Sequence, residues 1–167
     1  PALHHRLSSL HGAGFDVKRR LYTHQIASIT QVQAGRNLIV ASGTGSGKTE
    51  CFLLPILDDA IRNPGPGVRA IIIYPLNALA NDQLGRLRKM LTDLPEITYG
   101  RYTGETPESR NEMSREDLDS LGGSNERATR DEIRNEPPHI LLTNFAMLEY
   151  LLLRPWDAGV FSRRRLR

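Results

Sequence analysis

The stretch Ser42-Gly43-Thr44-Gly45-Ser46-Gly47-Lys48-Thr49 has the glycine spacing and the Gly-Lys-Thr ending of a phosphate-binding loop. It departs from the strict pattern at its first position, where Ser42 stands in place of glycine. Three glycines allow the backbone to curl closely enough for successive N–H groups to surround an anion. Lys48 can place its charge on the terminal phosphate oxygens, and Thr49 can give a hydroxyl ligand to Mg²⁺. We therefore predict that residues 43–49 bind a nucleotide, with Lys48 and Thr49 as the catalytic pair and Thr49 as the metal ligand.

The segments on either side of this loop support the prediction. Residues 37–41 are almost all apolar and predict a buried parallel strand, while residues 48–62 predict a helix whose positive end faces the anion. Apolar strands and amphipathic helices continue to alternate along the chain. Further strands are predicted at 69–74, 97–102 and 139–143, and further helices at 23–34, 79–92 and 145–153. This alternation predicts an α/β fold with a mainly parallel sheet flanked by helices.

Composition excludes several classes of protein. The chain has 167 residues, 39% of them hydrophobic and 25% charged, which suits one soluble globular domain and excludes disordered, collagen-like and disulfide-rich chains. Its apolar runs are much shorter than the ~20 residues that cross a bilayer. No secretory h-region is present and Cys51 is the single cysteine, so we expect no membrane partner and a cytoplasmic location. The net charge of +3 mildly favours phosphate-rich partners.

The composition changes over residues 105–137, which are rich in Glu, Asp, Arg, Ser and Asn. We interpret this segment as a polar surface insertion that carries short exposed helices. Thr106 followed by Pro107 is typical of a helix start, and Thr129 and Glu132 have the spacing of a capping box. The sequence assigns no role to residues 109–132.

Residues upstream of the phosphate loop bear on the choice of nucleotide. No Asn-Lys-x-Asp run, the pattern that reads guanine, occurs in the chain. The segment Leu21-Tyr22-Thr23-His24-Gln25, together with the loop, resembles the first RecA-like domain of superfamily 2 DEAD/DEAH-box helicases. The resemblance implies ATP with Mg²⁺ as the cofactor and implies that Gln25 contacts adenine, since a side-chain amide both donates and accepts hydrogen bonds. Phe15 and Tyr22 are candidates to stack on the base, and a solvated glutamine on a helix is the alternative for Gln25.

The resemblance continues at the ends of three predicted strands. Residues 74–83 read YPLNALANDQ, match motif Ia of these helicases and are similar to large bacterial DNA helicases of the YprA-like kind. The turns at 102–105 and 142–145 stand where the family carries further phosphate-contacting turns. Taken singly each turn is also typical of an ordinary capped helix start, but together they imply a track for the sugar-phosphate backbone of a single strand. The implied nucleic-acid-binding residues are Pro75, Asn77, Thr103, Gly104, Thr143 and Asn144, and the implied partner is a nucleic acid, with DNA favoured over RNA.

Hydrolysis by this family needs an apolar strand that ends in Asp-Glu, and we find none in the sequence. The nearest match, Asp58-Asp59, falls within the predicted helix after the phosphate loop, where we expect a solvated helix face. Residues 1–167 are therefore predicted to be part of an N-terminal RecA-like ATP-binding domain that stops before the acidic motif, with the remainder of the helicase core as its partner. We expect an ATP-dependent helicase motor of which this chain alone is inactive. A non-hydrolysing ATP- or nucleic-acid-binding module and a small-molecule kinase are the alternatives.

Overall fold

The computed structural model describes residues 2–9 and 20–161. The chain divides into two compact units, Pro1–Pro64 and Gly65–Arg167. Within the described ranges, no helix is both long enough and apolar enough to span a bilayer.

The first unit is helical. A 3₁₀ helix at His5–Ser9 precedes α1 (Thr23–Gln33) and α2 (Lys48–Arg62), and the two α-helices pack against each other. Gly35 follows α1 with a φ of 72°, the left-handed conformation that ends helices. The predicted helix at 48–62 is confirmed, and the helix predicted at 23–34 is confirmed with its end one residue earlier, at Gln33. Buried apolar side chains of this unit include Leu7, Ile29, Leu53, Leu54 and Leu57.

Residues 37–41 form no strand, so that prediction is wrong. The Ile39 side chain is 94% exposed. An apolar run becomes a parallel strand only where neighbouring strands supply its hydrogen bonds. Every strand pairing in the described part of the chain lies within the second unit.

The second unit is built on four parallel strands. They are β1 (Ala70–Tyr74), β2 (Tyr99–Tyr102), β3 (Glu126–Arg127) and β4 (Ile140–Asn144), in the order β1-β4-β2-β3. The register places Tyr74 beside Asn144 and Tyr102 beside Thr143. The carboxyl ends of β1, β4 and β2 therefore lie side by side at one edge of the sheet, and the predicted parallel sheet is confirmed.

Helices flank this sheet. α3 (Asn77–Met90) packs against β1, β2 and β4 and continues into a 3₁₀ turn at Leu91–Asp93. α6 (Phe145–Leu153) packs against β4 and against a 3₁₀ helix at Pro155–Val160. Strand and helix side chains meet in one buried cluster that consists of Val68, Tyr102, Ile133, Leu141, Met147, Leu151 and Val160.

The polar segment 105–137 contributes to the interior as well as to the surface. It contains a 3₁₀ helix at Arg110–Glu112, α4 (Arg115–Asp119), β3 and α5 (Arg130–Asn135). Its buried side chains include Thr106, Asn125, Glu126, Thr129 and Ile133. β3 approaches β2 closely at Gly100, where a Cβ would come within 2.7 Å of the Arg127 carbonyl oxygen. The composition did not indicate this strand.

One of the two predicted helix starts in that segment is confirmed. Thr129 caps α5, because its side chain accepts from the Glu132 N–H while the Glu132 carboxylate accepts from the Thr129 N–H. The predicted start at Thr106 is wrong. Thr106 is buried, and its hydroxyl donates to the Arg101 carbonyl at 2.8 Å and accepts from the Thr103 N–H at 2.9 Å, so it closes a turn after β2 instead.

Candidate nucleotide and nucleic-acid sites

The phosphate loop leads directly into the first turn of α2. Gly45 and Gly47 have φ values of 75° and 78°, in the left-handed region that favours glycine. Gly47 immediately precedes Lys48, the first residue of α2. A Cβ on Gly47 would come within 2.5 Å of Gln25 Nε2, so a side chain there would displace the Gln25 amide and would also be strained by the positive φ. Around Gly43 and Gly45 the space is open.

Lys48 folds back over its own loop. Its Nζ donates to the carbonyl oxygens of Ser42 at 2.9 Å and Gly43 at 2.6 Å. The hydroxyls of Ser42 and Ser46 lie 2.6 Å apart and join the two ends of the loop's glycine-rich part. Thr49 lies in the first turn of α2, where helix N–H groups have no partner within the helix. The loop thus places a lysine ammonium, a threonine hydroxyl and a helix N-terminus in one place.

These groups fit a nucleoside triphosphate. Open space at the glycines leaves room for phosphate oxygens, and the helix N-terminus favours negative charge. No cluster of three or more His, Cys, Asp or Glu side chains capable of holding a metal ion occurs among the described residues. For a Mg²⁺ ion beside this loop the Thr49 hydroxyl is a candidate ligand, and Mg²⁺ commonly keeps phosphate oxygens and waters as the others.

Gln25 lies beside the phosphate loop. Its side chain is 4% exposed, so the alternative of a solvated glutamine is wrong. Its Nε2 donates to the Gly47 carbonyl at 3.0 Å, and its Oε1 accepts from the Tyr22 N–H at 2.9 Å. These two bonds use one N–H and one oxygen lone pair of the amide, so one donor and one acceptor remain for adenine. Contact between Gln25 and adenine stays a prediction. Tyr22 is 44% exposed, and Phe15 lies outside the described residues.

His24 is a contact that the sequence analysis missed. Its Nε2 lies 3.0 Å from the Ser46 carbonyl oxygen, and its ring stacks on Tyr22 with centroids 5.6 Å apart. Its position directly before Gln25 was the available signal, since neighbouring residues at a helix start can reach the same loop.

Asp58 is not on a solvated face, and that expectation is wrong. Asp58 is 5% exposed and accepts from the His4 N–H at 2.6 Å, Gln33 Nε2 at 3.3 Å and Arg62 Nε at 2.9 Å. It joins three segments of the first unit. A carboxylate held by three donors is structural, because removing it would leave those donors unpaired.

The three strand-end turns of the second unit meet at the sheet edge. Asn144 Nδ2 donates to Asn77 Oδ1 at 2.9 Å, and Asn77 Nδ2 donates to Glu105 Oε1 at 2.9 Å. Asn144 also caps α6 by accepting from the Met147 N–H at 2.7 Å. Two side chains of the predicted track, Asn77 and Asn144, therefore form a hydrogen-bonded row with Glu105, and Pro75 is exposed at the turn after β1.

Two predicted track residues have buried side chains. Thr103 and Thr143 are both 0% exposed, and the Thr143 hydroxyl donates to the Tyr102 carbonyl at 2.7 Å. Their hydroxyls support the turns and do not face solvent. Of the predicted track residues, the exposed Pro75 and Gly104 and the half-buried Asn77 and Asn144 reach the surface.

A buried charged network lies beneath the turn after β2. Tyr102 Oη and Arg134 Nε both donate to Asp157 Oδ1 at 2.8 Å, and Arg134 also pairs with Glu108. Asp157 is 0% exposed. Burial, reinforced by the hydrogen bond to Asp157, raises the pKa of Tyr102 to about 12, so its hydroxyl stays protonated and donates at neutral pH. Arg130 Nη2 lies 3.2 Å from the Thr103 carbonyl and 3.3 Å from that of Gly104.

Comparison with known proteins identifies the family. The family model for DEAD/DEAH box helicases matches residues 22–166. The chain belongs to this family. It is 30% identical to the uncharacterized ATP-dependent helicase YprA of Bacillus subtilis, over 80% of this chain and 15% of that protein. It is 27% identical to the Druantia protein DruE of Escherichia coli, over 95% of this chain and 14% of that protein.

A solved helicase structure has the same fold. The crystal structure of the DUF1998 helicase MrfA bound to DNA and AMPPNP matches with a TM-score of 0.70 at 27% identity, over 95% of this chain and 19% of that one. The RecA-like fold and the family predicted from the sequence are confirmed. The chain spans about one seventh of the length of the two curated relatives named above.

Proposed function

We propose that this chain is the ATP-binding and nucleic-acid-binding part of an ATP-dependent helicase motor. The observation that carries the proposal is the phosphate loop at the N-terminus of α2, with Lys48 and Thr49 in its first turn. Family membership supports it, because the curated relative YprA is named an ATP-dependent helicase. The MrfA structure with AMPPNP, an ATP analogue, supports ATP as the nucleotide.

In the proposed complex the loop residues 43–49 surround the triphosphate. Lys48 releases the carbonyls of Ser42 and Gly43 and donates to phosphate oxygens, which form stronger charge-assisted hydrogen bonds. Thr49 is the protein ligand of the accompanying Mg²⁺. Gln25 uses its remaining donor and acceptor on the adenine edge, which gives the preference for ATP over GTP.

The proposed nucleic-acid track follows the strand-end edge of the second unit. Asn77, Asn144 and the backbone of Gly104 contact the sugar-phosphate backbone, and buried Thr103 and Thr143 hold the turns in shape. Such contacts carry no base information, so binding varies little with sequence. DNA is favoured over RNA because the MrfA structure is one of a DNA complex.

The remainder of the motor is proposed to come from a longer protein. The small share of each relative that this chain covers supports this. A non-hydrolysing module is the less favoured alternative, since the helicase relatives are named for ATP-dependent activity.

Two substitutions test the proposal together. Lys48→Ala should weaken ATP binding at least tenfold, because a hydrogen bond to a charged group contributes ~1.5–3 kcal/mol, and should leave nucleic-acid affinity unchanged. Asn77→Ala should weaken single-stranded DNA binding a few-fold at low salt and leave ATP affinity unchanged. Calorimetry with ATP and fluorescence anisotropy with labelled DNA measure the two constants.

Matched controls are present in the chain. Lys89→Ala removes an exposed lysine from the last turn of α3, and Asn63→Ala removes an asparagine outside the proposed track. Neither control should change either affinity. Equal ATP binding by the wild-type and Lys48→Ala proteins would refute the nucleotide site, and DNA binding that does not weaken with salt would refute the backbone track.

A further inference from the structure

Two consecutive side chains at the start of α1 reach two consecutive carbonyls of the phosphate loop. His24 Nε2 lies 3.0 Å from Ser46 O, and Gln25 Nε2 lies 3.0 Å from Gly47 O. A carbonyl oxygen only accepts hydrogen bonds, so Nε2 of His24 carries the hydrogen in this contact. The first turn of α1 therefore holds two peptide units of the loop from the same side.

Because each peptide is planar, these carbonyl contacts also fix the directions of two N–H groups. In a trans peptide the C=O of one residue and the N–H of the next point in opposite directions. Holding the Ser46 carbonyl toward α1 directs the Gly47 N–H away from α1, and holding the Gly47 carbonyl does the same for the Lys48 N–H. These are N–H groups of the kind that a phosphate loop turns toward its anion.

Sterics restrict the orientation of the Ser46–Gly47 peptide only weakly. Gly47 lacks a Cβ and has a φ of 78°, so alternative orientations of this peptide have little steric cost. His24 is itself held in place: its ring stacks on Tyr22, and its carbonyl accepts from Ser28 Oγ at 2.7 Å. The stacked His24 ring thus places a donor on a peptide whose other orientations a glycine permits.

We propose that His24 is a positioning residue of the nucleotide site, which holds the Ser46–Gly47 peptide so that the Gly47 N–H faces the phosphates. This inference rests on the proposed function, since it requires that the loop bind a triphosphate. It differs from the role proposed for Gln25, because His24 acts on the phosphate end of the ligand and makes no contact with the base.

Replacement of the donor tests this role. His24→Phe keeps an aromatic ring and removes the N–H donor, and His24→Gln returns a donor of similar reach. Affinities for ATP and for inorganic triphosphate are measured by calorimetry on the purified protein. His24→Phe should weaken both ligands by the same factor, about three- to tenfold, as expected for one hydrogen bond. His24→Gln should restore both affinities to within about twofold, a rescue that a loss of packing alone would not give.

The other outcomes separate this inference from the proposed function. His5→Phe makes the same chemical change at an exposed histidine of the first 3₁₀ helix and should alter neither affinity. Unchanged affinities in His24→Phe, or weakening of ATP alone, would overturn the positioning role. Equal weakening in His24→Phe and His24→Gln, with a lower melting temperature in both, would overturn it as well. Failure of the wild-type protein to bind either ligand would contradict the proposed function itself.

Discussion

His139 immediately precedes β4, and each of its two ring nitrogens forms a hydrogen bond with a different residue. Nδ1 accepts from the Thr98 N–H at 3.0 Å, and Nε2 lies 2.8 Å from the Gly65 carbonyl, to which it donates. This arrangement requires the neutral imidazole with its hydrogen on Nε2. Burial lowers the pKa of His139 below its ordinary value of 6.5, and the charges of Arg69 and Arg127 act in the same direction.

We predict that His139 makes the protein less stable in mild acid. Because its pKa is lower in the folded than in the unfolded state, the unfolded chain binds more protons as the pH falls below 6.5. The free energy of unfolding should therefore decrease from about pH 6.5 downward until the folded-state pKa is passed. Chemical denaturation of the wild-type and His139→Gln proteins between about pH 7.5 and 5 measures this decrease.

The chain has five histidines, and the difference in pH dependence between the wild-type and His139→Gln proteins gives the contribution of His139 alone. His139→Gln should show a shallower loss of stability than the wild type over this range. Parallel slopes for the wild-type and His139→Gln proteins would show that His139 does not titrate differently on folding.

Single residues also show what the sequence could predict. The phosphate loop was predictable because its chemistry depends on glycines and a lysine at fixed local spacing. Gln25 was selected through the resemblance to the helicase family, in which a glutamine stands upstream of this loop. Asp58 was mispredicted because its burial depends on the His4 N–H and on Gln33, which are 54 and 25 residues away. Local sequence gives no sign of such distant donors.

At the scale of elements, the network around Asp157 joins β2, α5 and the last 3₁₀ helix. We predict that Arg134→Met destabilises the protein by about 3 kcal/mol, because the carboxylate of Asp157 stays buried and Tyr102 is then its only donor among the described residues. Urea denaturation measures the loss. Arg110→Met is the matched control, since Arg110 pairs with Glu132 at the surface, where such a pair contributes ~0–1 kcal/mol. Similar small losses in both variants would show that Asp157 does not depend on Arg134.

Two elements mark the limit of pattern-based prediction. Residues 37–41 have the apolar pattern of a strand but no strand partner within the described residues. β3 has no apolar pattern, yet it pairs with β2. Gly100 of β2 has no side chain to keep the β3 backbone away, and Arg88 forms an ion pair with the buried Glu126 of β3, with Nη2 and Oε1 2.7 Å apart. A strand forms only where two segments hydrogen-bond to each other, and the sequence pattern of one segment does not identify its partner.

At the scale of the whole molecule, each unit carries one of the two proposed binding functions. The first unit contains the phosphate loop, and the second contains the row of side chains at the strand ends. The order of these motifs along the chain made the family predictable, because each motif by itself is also found at ordinary helix starts. Bond cleavage needs acidic groups in addition to these binding groups.

We predict that the 167-residue chain binds ATP but does not turn it over. Three of its paired acidic residues have structural contacts: Asp58 is held by three donors, and Asp131 and Glu132 lie in the first turn of α5, where Glu132 completes the cap at Thr129. None of the four described strands ends in an acidic pair that could orient the attacking water. An arginine from a second domain, a contribution of ~10³–10⁵ in rate, would also be needed. Phosphate release by the purified chain with saturating single-stranded DNA should therefore equal that of the Lys48→Ala protein. Steady turnover that disappears in Lys48→Ala would contradict the prediction and would direct the search for a catalytic carboxylate to Asp59, which lies on α2 and is only partly buried.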